Sequence, residues 1–464
     1  MHGAVPASSL PSILALAMAM GCAADPPPGS HGDAGADQAT TGDEDLDAAP
    51  LVGTVTLPLA SGRNIAAFAY GQNYWNWEPD WGAAVAGTAP LVKAAGVKLI
   101  RAGGANNEIQ TPNQFTNAEL DKFAAYCKTA GAEPVLQVSL IKNAAGQPAT
   151  ALDAADMVTY ANVTMAYGIR YWSIGNEPDL YTSQSLKAAD YAAADYCATF
   201  KDYAAAMRAV DPTIKILGPE LSWKYISGND WLTPFLDGCK DVVDIVAVHR
   251  YPFAPDKPTK EAAFVDAANF RQVVRALRAN LDQHGMQAIP LAITEEHITY
   301  DGDPAKSTLS ASPQTFFAGL WAADVLGVAM EEGLWTGAFW HIADSTTGWK
   351  LAFILGTTPM PTYQATSLLA THFTGKILTP GGVPSGFSVY ASRDDSAGTT
   401  SVVVLNKTAT AARLAFTFDN LPAQNLGFPS ESLTLAVFAD AGAAPRVFRY
   451  TNALADASLP PVAE

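Results

Sequence analysis

Two glutamates that each end a short apolar run carry the clearest chemistry in this sequence. Glu177 follows the run that begins at Arg170 (RYWSIGNE), and Glu295 follows the run that begins at Ile289 (IPLAITE). Each run predicts a buried strand that stops abruptly and leaves a carboxylate at its carboxyl end, where barrel enzymes keep their chemistry. The alternative for each is a solvated glutamate after a turn. The pair favours hydrolysis of a glycosidic bond by a proton donor and a nucleophile.

The two roles demand opposite protonation states. We expect Glu177 to be the general acid/base, with a pKa raised by a low-dielectric setting so that it is protonated when substrate arrives. We expect Glu295 to be ionised by cationic or hydrogen-bonding neighbours. Carboxyl groups about 5–5.5 Å apart would indicate retention of configuration, and a gap of about 6.5–9.5 Å would indicate inversion.

Eight strand-then-helix units position these residues. The repeated alternation without an internal sequence repeat predicts a (β/α)₈ TIM barrel rather than an open doubly wound sheet. After about Gly375, short alternating strands predict a small C-terminal antiparallel β-sandwich domain. The predicted organisation is a signal peptide over 1–22, a disordered linker over 23–50, a strand joining the C-terminal sheet within 51–63, the barrel over 64–375 and the sandwich over 376–464.

Polar residues also stand at the ends of other predicted barrel strands. These are Arg101 on the second strand, Asn176 on the fourth, His249 and Tyr251 on the sixth, and Trp340 on the eighth. With Glu177 and Glu295, this ordered set resembles the retaining glycoside hydrolases of clan A. Within the clan the sequence resembles the family 44 endoglucanases most, and families 39, 30 and 79 share several of the motifs. Motifs that carry the likeness include Tyr70-Gly71-Gln72-Asn73, Asn176-Glu177-Pro178-Asp179-Leu180 and His249-Arg250-Tyr251-Pro252.

The resemblance assigns roles to these residues. It aligns Thr294-Glu295 with the nucleophile motif, so we choose Glu295 over Glu296. Because side chains alternate along a strand, those of Glu295 and Glu296 point in opposite directions. Arg101 and Tyr251 would hold Glu295, although Arg101 could instead form a structural ion pair. Asn176 would hydrogen-bond the sugar 2-hydroxyl. His249 would orient Glu177 or contact sugar, with a core histidine as the alternative. Trp340 would be a stacking platform.

Aromatic residues in two loops suggest a glycan-binding row. Trp75 and Trp77 lie beside Asn73 after the first strand, and Trp223 follows the fifth. Aromatic faces suit the C–H faces of pyranose rings, and an extended row would favour an endo-acting cleft. Ordinary packing of large side chains is the competing interpretation.

The net charge and the N-terminal sequence indicate which partners and which cellular compartment to expect. A formal net charge of −17 excludes a polyanion-binding signature, so nucleic acid is not expected as a partner. Leu10–Met20 is apolar but too short to span a bilayer, which predicts a signal peptide. Gly21-Cys22 resembles a lipoprotein processing site, with plain secretion as the alternative. We therefore expect an exported monomer whose membrane contact is a lipid anchor on Cys22.

The other three cysteines, Cys127, Cys197 and Cys239, lack metal-ligand spacing, and we expect buried thiols. The alternative is that two of them form one disulfide in an oxidising compartment. We expect no cofactor and no metal.

The predicted function is a retaining β-glycosidase that acts on a polysaccharide or oligosaccharide, endo-acting on a neutral β-glucan. Two alternatives remain. One is an exo-acting clan A enzyme of the β-xylosidase or β-glucuronidase type. The other is a non-catalytic carbohydrate-binding surface protein.

Overall fold

The computed structural model describes residues 45–76, 85–110, 113–222, 230–303, 305–345, 351–419 and 422–464. The predicted signal peptide, Cys22 and most of the predicted linker lie outside these ranges. Residues 45–50 lie inside them and are ordered: the carbonyl oxygens of Asp47 and Pro50 accept hydrogen bonds from Arg413.

Strands make up the barrel and three further sheets. In chain order they are β1 (Leu51–Leu57), β2 (Arg63–Asn64), β3 (Tyr70–Tyr74), β4 (Leu99–Ala102), β5 (Glu133–Val138), β6 (Tyr171–Ile174), β7 (Lys215–Leu221), β8 (Ile245–Arg250), β9 (Leu291–Glu296), β10 (Gly337–Phe339), β11 (Ala343–Asp344), β12 (Ile354–Leu355), β13 (Thr358–Pro359), β14 (Lys376–Leu378), β15 (Phe387–Asp394), β16 (Thr399–Asn406), β17 (Ala412–Phe418), β18 (Gln424–Phe428), β19 (Ser432–Ala439), β20 (Arg446–Tyr450) and β21 (Val462–Ala463). One of the three further sheets is the small sheet β11-β12-β13.

Helices connect and follow the barrel strands, and the last helix lies in the C-terminal region. They are α1 (Val85–Ala94), α2 (Ala105–Ile109), α3 (Asn117–Ala130), α4 (Ala151–Val158), α5 (Ala193–Val210), α6 (Leu232–Cys239), α7 (Lys260–Gln283), α8 (Phe316–Glu332), α9 (Pro361–His372) and α10 (Asn452–Asp456). A π-helical turn (Thr159–Thr164) extends α4, and a 3₁₀ turn (Pro178–Leu180) follows β6. No helix in the described ranges is both long and apolar enough to cross a bilayer.

The predicted barrel is confirmed. Strands β3 to β10 form a closed, all-parallel barrel in the order β10-β3-β4-β5-β6-β7-β8-β9. Its lower interior is filled by apolar side chains such as Leu99, Val135 and Leu217, which form a core of their own. A larger apolar layer lies between the strands and the surrounding helices. Every barrel strand therefore ends at the same open face, and residues at the strand ends share one mouth.

The C-terminal region packs two sheets face to face. The larger has the order β2-β14-β15-β16-β19-β20-β21, and the smaller has the order β1-β17-β18. Apolar side chains from both, among them Val55, Phe416 and Phe438, share one core. Strand β1 thus lies beside the C-terminal strands, and it pairs in parallel with β17, whereas the other pairs of these two sheets are antiparallel.

The structure corrects two details. We expected buried thiols at all three remaining cysteines, but Cys197 of α5 and Cys239 of α6 form a disulfide; Cys127 is free and buried. The packing of α5 on α6 brings the two sulfurs together, which sequence spacing does not reveal. The sequence also predicts a helix over Asn117–Ala130 with Asn117 as its N-cap and Gly131 as its C-cap, but the N-cap is Thr116, whose hydroxyl accepts from the Glu119 amide.

Candidate active site

Glu177 and Glu295 meet across the barrel mouth, on either side of His249. The Nδ1 atom of His249, on β8, lies 3.1 Å from Glu177 Oε1 and 2.8 Å from Glu295 Oε2. Oxygen atoms of the two glutamates lie within 4.8 Å of each other. Glu177 lies three residues beyond the end of β6, Glu295 belongs to β9, and β8 lies beside β9 in the closed barrel. The two carboxylates that sequence reasoning selected thus share one site.

His249 carries a positive charge in this setting. Burial would lower its pKa, but the charge of Glu295 and hydrogen bonds to Glu177, Glu220 and Glu295 outweigh burial and raise it well above the usual value. An imidazolium has two N–H donors: Nδ1 faces both mouth glutamates, and Nε2 donates to Glu220 Oε2 at 2.9 Å. The imidazolium thereby offsets the carboxylate charge around it.

Glu220 is a third carboxylate of the site that sequence reasoning missed. It is fully buried near the end of β7, directly after Gly218-Pro219. Besides His249, it accepts a short hydrogen bond from the Thr294 hydroxyl and lies 3.8 Å from Arg101 Nε. Burial raises its pKa, yet the charge of Arg101 and the bonds from His249 and Thr294 outweigh burial and lower it. Glu220 is therefore ionised.

The backbone at two of these glutamates is unusual. Glu177 and Glu220 both adopt left-handed backbone angles, with φ of 50° and 56°. The Glu177 amide donates to the Glu220 carbonyl at 2.9 Å, which ties the two strand ends together. Residues other than glycine rarely adopt such angles, and where they do the surroundings enforce them, often at functional sites.

Arg101 organises a polar layer beneath the mouth. Its guanidinium donates to Asn73 Oδ1 at 3.0 Å, to Asn176 Oδ1 at 2.8 Å and to Gln137 Oε1 at 3.2 Å. Asn73 also donates to the backbone carbonyls of Thr294, Ala338 and Phe339. Asn73 therefore supports the strand ends, and it is completely buried. Gln137, at the end of β5, is a further member that the sequence did not reveal.

The two mouth glutamates differ in protonation. Burial raises the pKa of Glu177, and the charges of Glu295 and Asp179 add to this, against the opposing contacts of His249. Burial acts the same way on Glu295, but the charge and hydrogen bond of His249 and the charge of Arg101 outweigh it and lower the pKa of Glu295. Tyr251, also predicted for the site, hydrogen-bonds Glu295; burial and the two glutamate charges hold its own pKa far above the usual value. The pKa of Glu177 thus lies above the ordinary value and that of Glu295 below it, which are the directions that a proton donor and a nucleophile require.

Glu296 lies on the other side of the strand. In the β8–β9 ladder His249 pairs with Glu295 and Arg250 pairs with Glu296. The Glu296 side chain is fully buried, and neither of its oxygens has a hydrogen-bond partner. Burial raises the pKa of Glu296 to about 7. The charge of Arg250 opposes this rise, and the charge of Asp266 adds to it. Glu296 does not face the mouth.

The aromatic residues separate into exposed and packed ones. Trp340 is half-buried and lies over Gly104, where a Cβ atom would come within 2.7 Å of the indole ring. Trp75 is almost wholly buried, with its ring 3.9 Å from His341 and 4.9 Å from Trp340. Trp75 therefore backs Trp340 instead of presenting a free face. Trp77 and Trp223, the other two predicted members of the row, lie outside the described residues.

The trio Glu177, His249 and Glu295 has ligand atoms close enough together to hold a metal ion. Metal ligation needs a neutral imidazole. Because three carboxylates stabilise the imidazolium form of His249, its Nδ1–H supplies positive charge at the position that a metal would take. The charges of this cluster also balance without an ion when Glu177 holds a proton, which its raised pKa favours: Arg101 and His249 are positive, and Glu220 and Glu295 are negative. The residues fit a metal-free acid–base site better than a metal centre.

Known proteins resemble this chain in sequence and in fold. Residues 140–295 match the family model described as the glycosyl hydrolase catalytic core. Endoglucanase A of Paenibacillus lautus is 23% identical over 42% of this chain, which spans about a third (34%) of that relative's length.

Two solved structures illustrate the fold. The family 44 endoglucanase Cel44A of Clostridium thermocellum has 14% identity and a TM-score of 0.61, and covers 83% of this chain and 99% of its own. An α-L-arabinofuranosidase of Thermotoga maritima has 16% identity and a TM-score of 0.63, and covers 83% and 98%.

The sequence match covers β6 to β9, the strands that supply Glu177, Glu220, His249 and Glu295. The structural matches extend over the barrel and the C-terminal sheets alike, because they include most of the chain. Together they confirm the predicted resemblance. The chain therefore resembles the clan A glycoside hydrolases, with family 44 among the families it resembles.

Proposed function

We propose that this chain is a retaining, endo-acting β-glycosidase whose substrate is a neutral β-glucan. The observation that carries the proposal is the close approach of Glu177 and Glu295, whose oxygens lie within 4.8 Å of each other. This spacing agrees with the roughly 5–5.5 Å that direct attack by a carboxylate requires, and it is too short to hold a water molecule for inversion.

The proposed reaction has two steps. In the first, a Glu295 oxygen attacks the anomeric carbon while Glu177 gives its proton to the departing glycosidic oxygen. In the second, Glu177 takes a proton from water as that water attacks the same carbon and frees Glu295. Ester formation removes the charge of Glu295, which is one cause of the raised pKa of Glu177. The pKa of Glu177 should therefore fall between the steps, as a change from acid to base requires.

The surrounding residues serve the same cycle. His249 faces both glutamates and, with Arg101, favours the ionised form of Glu295 before attack. Asn176 is held by Arg101 at the strand end beside Glu177, where it is placed to contact the sugar 2-hydroxyl. Trp340 presents a half-exposed indole face for the ring at the cleavage point.

The choice of a β-glucan rests on the names of relatives. Endoglucanase A and the family 44 endoglucanase act in name on glucans, and another fold relative is a bifunctional glucanase-xylanase. Arabinofuranosidases with the same fold favour a second candidate, an exo-acting glycosidase. A carbohydrate-binding protein without activity is less consistent with a site that holds one protonated and one ionised glutamate.

A substrate panel tests the proposal. Soluble β-glucan, xyloglucan and xylan would be compared with aryl β-xyloside, β-glucuronide and α-L-arabinofuranoside. Endo action predicts that viscosity falls before many reducing ends appear. Proton NMR of the first product should show the β-anomer for retention. An α-anomer at early times would contradict the mechanism, and binding without release of reducing ends would favour the non-catalytic alternative.

We also propose that the protein is an exported monomer, tethered by lipid on Cys22. Supporting this, the Cys197–Cys239 disulfide suits an oxidising compartment. In a bacterial host, radiolabelled palmitate should label the wild-type chain, and Cys22→Ser should abolish the label and release the protein from the membrane fraction. A labelled Cys22→Ser variant, or an unlabelled wild-type chain cleaved elsewhere, would favour plain secretion or another anchor.

A further inference from the structure

A cavity of about 560 Å³ lies beside the catalytic mouth, against the end of β5. Its walls come from the start of α3, the loop over residues 139–149 and the helix α4. This volume lies within the range of small-molecule binding sites. The mechanism described above uses none of these wall elements.

Two buried amide side chains line this cavity with unused hydrogen-bonding atoms. Gln114 is 3% exposed, and neither its Oε1 nor its Nε2 has a partner. Asn107 is equally buried; its Nδ2 donates to Asn76 Oδ1 at 2.7 Å and to the Asn113 carbonyl at 2.6 Å, while its Oδ1 has no partner. Buried polar groups are nearly always paired, so unpaired ones that line a cavity indicate a ligand.

The cavity adjoins the catalytic site through Gln137. This side chain lines the cavity. Its Oε1 also accepts from Arg101 at 3.2 Å and from the Gly104 amide at 2.7 Å. Gly104 in turn lies directly against Trp340. Gln137 therefore contacts the cavity on one side and, through Arg101 and Gly104, the catalytic site and the proposed sugar platform on the other.

The lining suits a neutral sugar. Amides both donate and accept, as sugar hydroxyls do. Phe115, Val138 and Met157 add apolar surface for the C–H faces of a ring. The charged residues of the wall are Lys142, Asp153 and Asp156, whose excess of negative charge disfavours an anionic sugar.

We propose that this cavity is a second sugar-binding site, which holds a branch or a distal unit of the same glycan whose backbone is cleaved at Glu177 and Glu295. This deepens the proposed function and rests on it, because the ligand is taken to be part of the substrate. Gln114 and Asn107 would supply the hydrogen bonds, and the sugar hydroxyls would pair with their unpaired side-chain atoms.

The test is calorimetric binding in the full-length Glu295→Gln variant, which leaves the probes uncleaved. The probes are cellobiose, cellohexaose and a xylose-branched glucan oligosaccharide. Adding Gln114→Leu should weaken binding of at least one of the two longer probes about 10-fold, and binding of cellobiose should not change. The matched control is Gln147→Leu, an exposed glutamine on the same loop that does not line the cavity.

Folding is controlled in two ways. Gln114→Leu removes a buried amide without partners, so its midpoint of thermal unfolding should equal or exceed that of the parent. Ala145→Trp, at the exposed rim, fills the cavity without touching either amide and should cause the same loss.

Two results would overturn the inference: binding of the longer probes by the Gln114→Leu chain equal to that of the Gln147→Leu chain, or no binding of any probe by the parent. Release of reducing ends by the wild-type chain in either case would confine the failure to the cavity. If the wild-type chain releases no reducing ends from any glycan, the proposed function is wrong, independently of the inference about the cavity.

Discussion

The inner and outer faces of the β8–β9 ladder hold similar residues in opposite protonation states. On the inner face, His249 and Arg101 surround Glu295 and keep it ionised. On the outer face, Arg250 donates two hydrogen bonds, of 2.6 and 2.7 Å, to Asp266. The Glu296 carboxyl makes no hydrogen bond there. The difference teaches that a nearby cation does not suffice to ionise a buried carboxylate. The cations must at least equal the anions in number, as Arg101 and His249 do for Glu220 and Glu295, whereas Arg250 is alone beside Asp266 and Glu296.

The histidines of the two faces differ in the same manner. His249 has carboxylates at both ring nitrogens and is cationic. His297, on the outer face, accepts a hydrogen bond from the Ile298 amide and lies over Trp321. Burial lowers the pKa of His297 to about 3, so it is neutral. The inner face is thus a charged site, and the outer face is a core that contains neutral polar groups.

The largest expected difference between the faces is in activity. Glu295→Gln should lower hydrolysis by at least about 10⁴-fold, because it removes the nucleophile. Glu177→Gln should lower it by about 10²–10⁴-fold through loss of proton transfer. Glu296→Gln, on the same strand, should retain near wild-type turnover. Release of reducing ends from the best substrate measures all three. Equal losses in Glu295→Gln and Glu296→Gln would break the comparison.

The wild-type pH profile should be bell-shaped, with limbs set by the inner face. Activity falls as pH rises through the raised pKa of Glu177, because the acid loses its proton. Activity falls at low pH through the lowered pKa of Glu295, because the nucleophile gains one. Each limb should approach about one decade per pH unit. Initial rates across pH 3–10 measure the profile. A single-limbed profile would remove one of the two assignments.

Glu220→Gln sharpens the comparison, since Glu220 acts through His249 as a positioning residue. Without its charge the imidazolium is less favoured. Because His249 lowers the pKa of Glu295 by more than the charge of Glu220 raises it, the pKa of Glu295 should rise when His249 loses its charge. We expect kcat to fall about 10–100-fold and the acidic limb of the pH profile to move to higher pH. Glu296→Gln, which removes an equally buried carboxyl from the outer face, is the control. Lower activity with an unmoved acidic limb would indicate a purely structural role for Glu220.

The smallest effect concerns stability at the outer face. The pKa of Glu296 is about 7 in the folded chain and 4.5 ordinarily. Because the folded state binds the proton more tightly, this group's contribution to stability is fully present below about pH 4.5 and is lost as pH rises through 7.

The difference from 4.5 to 7 corresponds to about 3 kcal/mol at most. Glu296→Gln should therefore raise the midpoint of thermal unfolding relative to wild type at pH 8 more than at pH 5. An equal change at both pH values would mean that Glu296 is ionised or already neutral throughout.

Much of this molecule follows from its sequence alone. Alternating strand and helix signals determined the barrel, and the bounds of elements with strong caps, such as α3 ending at Gly131, were predictable. Local chemistry at strand ends also selected Glu177, His249 and Glu295, because a barrel brings all strand ends to one face. Alternation along the strand, a purely local property, separated Glu295 from Glu296, and the resemblance of Thr294-Glu295 to the nucleophile motif decided between them.

Other features depended on contacts between residues far apart in the chain. Glu220 follows a Gly-Pro pair that gives no sign of a buried carboxylate, and it joins the site because β7 lies beside β8 in the barrel. The Cys197–Cys239 disulfide required the packing of α5 on α6. Trp75 proved to be packed because His341 and Trp340 cover its ring. Protonation was likewise decided by tertiary structure, since the pKa of a buried carboxyl depends on which charges surround it, and sequence neighbours do not specify those.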